Sequence, residues 1–362
     1  MHETLPDLVI GKLKINPPFI LGGMGVRVTE HKLCAAAANT GMAGTIASVG
    51  LGHNAVKGRN YVQGSNNALA KEIKLARKLT KGVIGVNIMV ALTNYAEMCT
   101  TAAKEKADYI ISGAGLPMKL PEYVGESTIA LIPIVSSGRA AKILCNKWLT
   151  SYNRLPDAFV VEGVDAGGHL GFNMAEVEAW NEDSHVRVCK EVLQVAKDYE
   201  EISGKHIPVI AAGGIFDGND IGKMLEIGCE GVQMATRFVT TEECQAPDNF
   251  KQAIINSTID DMVIIKSPVG MLGRAIKSPF TERVNAGETI PFKCPFHCIS
   301  VCKPKEVPFC IAVALLNAVD GDIDNGVMMA GHNAYRVKEI LPIQKLVDDL
   351  TSEAVAYLNR EK

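Results

Sequence analysis

Short apolar runs recur along the first two thirds of the chain, separated by polar or glycine-containing segments. They are FILGGM (19–24), GTIASV (44–49), KGVIGVNIM (81–89), YIISG (109–113), ALIPIVS (130–136), AFVVEG (158–163), IPVIAAGG (207–214) and GVQMATRF (231–238). Each is a near-continuous apolar run, the reading expected of parallel strands buried on both faces. Segments of helical period lie between them. TEHKLCAAAANTG (29–41) begins with Thr29 as the expected N-cap, and GNDIGKMLEIGCEG (218–231) spaces Ile221, Leu225 and Gly228 as a helix does. Eight βα units in about 240 residues are what an α/β TIM (β/α)8 barrel needs. An open doubly wound sheet is the alternative, because periodicity does not establish closure.

After Phe238 the pattern turns loop-rich, with SPVGMLGRAIKSPF (267–280) and then KCPFHCISVCKPKEVPFC (293–310). A helix is expected to start near Cys310, and VKEILPIQKLVDDLTSEAVAYLNR (337–360) reads as a last helical stretch interrupted near Pro342. No low-complexity linker precedes this tail. The expected organisation is a barrel over residues 1–280 and a helical, cysteine-containing C-terminal extension over 281–362 that packs on it as a lid or flank.

Composition narrows the function classes. The chain has 362 residues, 47% of them hydrophobic, with 33 glycines, which suits an enzyme-like α/β protein with a sizeable core. A net charge of −3 with interspersed signs lacks the basic stripe that nucleic acid or an anionic membrane requires. No run of about 18 apolar residues and no secretory leader pattern is present. The expectation is a cytoplasmic protein acting on a small-molecule substrate, with homo-oligomerisation left open. In that compartment the ten cysteines are thiols rather than disulfides, and Cys34, Cys99, Cys145, Cys189, Cys229 and Cys244 read as small buried hydrophobes.

In a barrel, ligands sit at the C-terminal ends of the strands, and a cofactor phosphate often lies after strands seven and eight. Strand seven ends in Gly213 and Gly214, and strand eight in Gln233, Met234, Ala235 and Thr236. Bare backbone N–H groups and a threonine hydroxyl make a cradle for a dianion; the plainer reading of AAGG alone is a tight βα turn. Strand one ends in Gly22, Gly23 and Met24, where missing side chains would let a flat ring approach the backbone. Strand three presents the amide of Asn87, and strand six delivers Glu162. Beyond it the chain turns on Gly163, Gly167 and Gly168, and His169 follows. An imidazole displayed by glycines can take a proton from a carbon acid near neutral pH; the plainer reading is a surface loop histidine.

The ordered set GGMG, GVNIM, VVEGVDAGGHLG, IPVIAAGGI and GVQMATRF resembles the nitronate monooxygenase (2-nitropropane dioxygenase) family and its close relatives, the FMN-dependent enoyl-[acyl-carrier-protein] reductases, over roughly residues 8–280. The resemblance implies a TIM barrel binding FMN noncovalently. It places Asn87, Glu162, Gly167 and Gly214 against FMN, puts Gln233, Met234, Ala235 and Thr236 around its phosphate, and makes His169 the catalytic base. Two positions depart from the family pattern: Ala235, often glycine, and Asp165, often glutamate. The implied activity is oxidation of nitronates or nitroalkanes. The alternatives are reduction of an enoyl thioester with NAD(P)H or an iron–sulfur electron donor, and a non-catalytic flavin-binding protein.

Cys294, Cys298, Cys302 and Cys310 form the pattern C-x3-C-x3-C-x7-C. Were this stretch helical, with Pro295 in its first turn, the first three would share one slowly rotating face, and Pro304 would end the helix so that Cys310 could approach. Four thiolates suit a [4Fe–4S] cluster or a tetrahedral zinc, and the spacing is not the C-x2-C pairing of zinc ribbons. Reduced, unmetallated cysteines are the third reading. A cluster would imply a ferredoxin-like electron donor.

Overall fold

The computed structural model describes residues 3–53, 61–294 and 296–360. Every one of the eight apolar runs forms a strand: β1 (Phe19–Leu21), β2 (Gly44–Ala47), β3 (Ile84–Met89), β4 (Tyr109–Gly113), β5 (Ala130–Val135), β6 (Phe159–Glu162), β7 (Val209–Ala212) and β8 (Gly231–Met234). All pair in parallel, in the spatial order β1-β8-β7-β6-β5-β4-β3-β2. The two edges then meet. Ala43, just before β2, donates to Phe19 O and accepts from Leu21 N, both at 2.9 Å, so the sheet curls into a TIM-type barrel instead of staying open.

Two apolar layers hold it. Inside, Ile20, Ile111, Ile132, Val160 and Ile210 are fully buried together with Leu8, Ile10 and Ile15 of a short N-terminal hairpin (Leu8–Ile10 with Leu13–Ile15). Tyr109 fills part of the interior because Gly85 opposite has no side chain to obstruct its ring. Its hydroxyl meets Thr45 Oγ1 at 2.7 Å and donates to Gly44 O at 2.8 Å, which removes the penalty of burying it unpaired. Outside, the second faces of the strands pack against the helices.

The helices form where the period predicts them, with small shifts. The first begins at His31, after Glu30, so Thr29 is not its N-cap. Thr29 is buried instead and closes the loop at Met24, whose N–H donates to Thr29 Oγ1 at 2.9 Å. Helix Gly218–Glu226 is capped by Asp217, which accepts from Asn219 N and Asp220 N.

The segment read as loop after Phe238 contains a β-hairpin, Met262–Lys266 with Leu272–Ile276. Its strands were hidden in the sequence because Met262–Ile264 of one are half-buried in succession and the other carries Gly273 and a buried Arg274, so neither shows a clear alternation. Leu272–Ile276 also pairs with Gly168–Leu170 and with Met328–Met329. One antiparallel sheet therefore runs across residue 280.

In the extension, Ile311–Val319 and Ile343–Leu358 are helical and the stretch before Pro342 is not. The last helix seats on Gly218–Glu226: Gly218 donates to Glu353 Oε2 at 2.8 Å, and any side chain at Gly218 or Gly222 would collide with Glu353 or Tyr357. Among the described residues no helix is long and apolar enough to cross a membrane.

Candidate active site

A cavity of about 220 Å³ opens at the C-terminal ends of the barrel strands. Gly22, Gly23, Met24, Asn87, Glu162, Gly167, Gly168, His169, Gly213, Gly214, Gln233, Met234, Ala235 and Thr236 all line it. The structure thus brings together every cofactor-site and catalytic candidate that the sequence suggested.

Gly22 and Gly23 have a reason beyond admitting a ring. A Cβ on Gly22 would stand 2.9 Å from the Ala235 Cβ, and one on Gly23 would strike Asn87. Their absence of side chains lets the end of β1 lie directly against β8 and β3. Gly213 and Gly214 have φ of 87° and 77°, a left-handed backbone that other residues rarely adopt. That turn exposes consecutive main-chain groups to the cavity. Gln233 Oε1 is buried with no hydrogen-bond partner, an acceptor that lacks a donor.

His169 is not on a loop. It is the middle residue of strand Gly168–Leu170, held opposite Gly273 of the hairpin. Its Nε2 lies 2.8 Å from Ser267 Oγ, and Ser267 sits in the hairpin turn, where its N–H donates to Met271 O at 2.9 Å. Burial pulls the imidazole down to about 4, so it is neutral at physiological pH. Glu162 is shifted the other way: burial raises its carboxyl to about 7, against a lowering influence from His185. Burial drives both shifts, and two such titratable groups in one cavity make it a candidate reactive site.

The sequence reading missed what closes the rim. Gly331 N–H donates to Thr236 Oγ1 at 3.0 Å, and Asn333 Nδ2 donates to Gly214 O at 2.6 Å. A Cβ on Gly167 would meet Ala330 and Gly331 at about the same place, 2.5 Å and 2.6 Å away. Beneath this arch the buried Arg274 donates to Val164 O at 3.2 Å and lies 4.0 Å from Asp165 and 3.4 Å from His332 Nδ1. His332 is lowered by burial and by Arg274, against Asp165. The GHN stretch at 331–333 was the available signal, but nothing local connects it to β7 or β8.

The helical reading of Cys294–Cys302 is corrected: the segment is irregular, pinned by a bridge between Leu92 and Ile299 and by Thr93 N–H donating to Cys298 O at 3.1 Å. Pro295 lies outside the described residues. Cys298 lines the cavity. All ten cysteines are free thiols, and among the described residues no group of three or more His, Cys, Asp or Glu side chains could hold a single metal ion.

The model of the nitronate monooxygenase family matches residues 7–353. A probable nitronate monooxygenase of Staphylococcus aureus (strain Newman) is 28% identical over 308 residues, covering 76% of this chain and 79% of that protein. Among solved structures, FabK from Thermotoga maritima superposes with a TM-score of 0.73 at 26% identity, over 94% of this chain and 93% of that one. A nitroalkane oxidase from Streptomyces ansochromogenes shares the fold, with a TM-score of 0.70 at 19% identity over 96% of this chain and 97% of that one.

Proposed function

This chain belongs to the nitronate monooxygenase family, and from that premise we propose that its cavity holds FMN and that it oxidises nitronates and nitroalkanes there with His169 as base. The residues present fit such a ligand. The left-handed turn at Gly213 and Gly214, together with the Thr236 hydroxyl, offers donors to a phosphate. Thr236 Oγ1 accepts from Gly331 and so keeps its own proton free to donate. Gln233 Oε1 lacks a donor, which a phosphate does not supply, so we place Gln233 at an N–H-bearing edge of the ring system and not at the phosphate. Asn87, Glu162 and Gly167 stand in the same cavity.

Bound FMN would supply the redox chemistry. The chain's own task is the proton. A neutral imidazole can remove the acidic hydrogen beside a nitro group, and Ser267 fixes the orientation of the ring. With Nε2–H donating to Ser267 Oγ, Nδ1 keeps a lone pair for that hydrogen. The observation that carries this reading is the neutral, serine-anchored His169 sharing one cavity with every expected flavin contact.

A second reading is reduction of an enoyl thioester, with electrons from NAD(P)H or from a ferredoxin-like protein through an iron–sulfur centre. The cavity wall favours it: Val26, Ile134, Val269, Ile311 and Leu315 make an apolar lining that suits an acyl chain. The two readings separate under nitrogen. FMN should be released on denaturation, and the bound flavin should bleach with a nitronate. Bleaching by NADH or NADPH alone, with recovery on adding an enoyl thioester, would move the function to the second reading; a colourless protein that takes up no FMN would sink both.

A further inference from the structure

We propose that Cys294, Cys298, Cys302 and Cys310 bind a [4Fe–4S] cluster at the wall of the cavity, and that the cluster admits single electrons from a reduced iron–sulfur carrier protein. Four thiols in eighteen residues are brought together by a segment with almost no regular structure of its own. Each of the four lies within electrostatic reach of the other three. They are nevertheless not gathered tightly enough for one ion. A tetrahedral zinc with Zn–S near 2.3 Å draws its sulfurs to within about 4 Å of one another, whereas a cubane interposes irons and sulfides and needs a wider frame.

The surroundings offer a hydrogen bond to sulfur. His297 N–H donates to Cys294 Sγ at 3.4 Å, the kind of bond that tunes cluster sulfurs. His297 takes a left-handed φ of 48° in doing so. Cys310 is the N-cap of Ile311–Val319, at the end of a helix where anionic ligands are favoured.

Placement suggests the purpose. Cys298 is 7% exposed and lines the cavity, while Cys302 is half-buried beside Val301, which is 63% exposed. Lys293, Lys303 and Lys305 of the same segment are exposed, with Glu306 paired to Lys303 at 3.1 Å. Those lysines suit contact with an acidic carrier protein. One electron from the carrier lowers the cluster charge by one unit. Two such deliveries, with two protons from solvent, balance the two-electron reduction of a flavin. The metal site stands without the flavin; its role as an electron entry rests on reading the cavity as an FMN site.

The test uses the full chain purified under nitrogen and reconstituted with iron and sulfide. About four irons and four acid-labile sulfides per chain are expected, with an electron paramagnetic resonance signal on reduction by dithionite. Cys302→Ser and Cys310→Ser should lose that signal and most of the iron, while Cys145→Ser keeps both. FMN content, measured separately, reports whether each variant folds. With reduced ferredoxin as the probe donor, flavin reduction should fall at least about tenfold in Cys302→Ser, and direct reduction by dithionite should not change. Protein that stays iron-free, or takes up only zinc, overturns the site. A cluster whose loss leaves ferredoxin-driven flavin reduction intact overturns the electron entry, and absence of FMN with iron present separates this inference from the reading of the cavity.

Discussion

The barrel rim and the C-terminal arch meet across one cavity, yet they contribute different things. The rim offers backbone: the left-handed turn at Gly213 and Gly214, the bare edges at Gly22 and Gly23, and short side chains at Ala235 and Thr236. The arch and hairpin offer restraint, through Ser267 on His169, Gly331 on Thr236 and Asn333 on Gly214. On the proposed reading the rim is where FMN sits, and the later residues decide how firmly the groups that hold it stand. Damage to the first should therefore cost far more than damage to the second.

The largest expected effect is at the base. His169→Ala should lower turnover by about 10² to 10⁴ while FMN stays bound, as flavin absorbance after gel filtration will show; unaltered turnover removes His169 from catalysis. Because burial holds the imidazole near 4, the wild-type rate should show no histidine limb around pH 6.5 and should lose its base only as pH falls through about 4.

Next comes the cradle. Gly214→Val forces a branched side chain onto a φ of 77° with a Cβ 3.0 Å from that of Asp165, a strain of about 1–3 kcal/mol. FMN affinity, read by fluorescence titration, should weaken by roughly tenfold to a hundredfold. Retained affinity would mean that the turn does not face the phosphate.

The restraining groups should cost less. Ser267→Ala removes one hydrogen bond, about 0.5–1.5 kcal/mol, and should lower kcat by up to about tenfold with FMN affinity unchanged. Asn333→Ala should weaken FMN by about fivefold for the same reason. A larger loss in either than at Gly214 would reverse the comparison.

The last expectation concerns stability instead of function and is a pH dependence. The buried Glu162 carboxyl is raised to about 7 from an ordinary 4.5, so the unfolded chain ionises first. Glu162 therefore favours folding fully below about 4.5, and that contribution is lost as pH rises through about 7. Glu162→Gln should gain Tm relative to wild type across this window in flavin-free protein, and a constant difference from pH 5 to 8 would contradict the shift.

Much of the rim was legible. Apolar runs 19–24 through 231–238 are local signals, and strand-end placement follows from the barrel's geometry, so Asn87, Glu162, His169 and the Gly213–Gly214 turn could be picked out directly. The hairpin was not legible, because Arg274 and Gly273 interrupt its alternation. The strand that carries His169 was hidden for the same reason, since it exists only by pairing with Leu272–Arg274.

By itself, then, the sequence determined the eight strands and which residues stand at their ends, since each depends on a period or a glycine turn within a few positions, while their closure into a barrel came from the structure. Only the tertiary structure decided who holds whom. His169 and Ser267 are 98 residues apart, and Gly331 and Thr236 are 95 apart. No local propensity encodes such pairs; they arise when burial of the hairpin and the extension against the barrel brings distant polar groups to hydrogen-bonding distance.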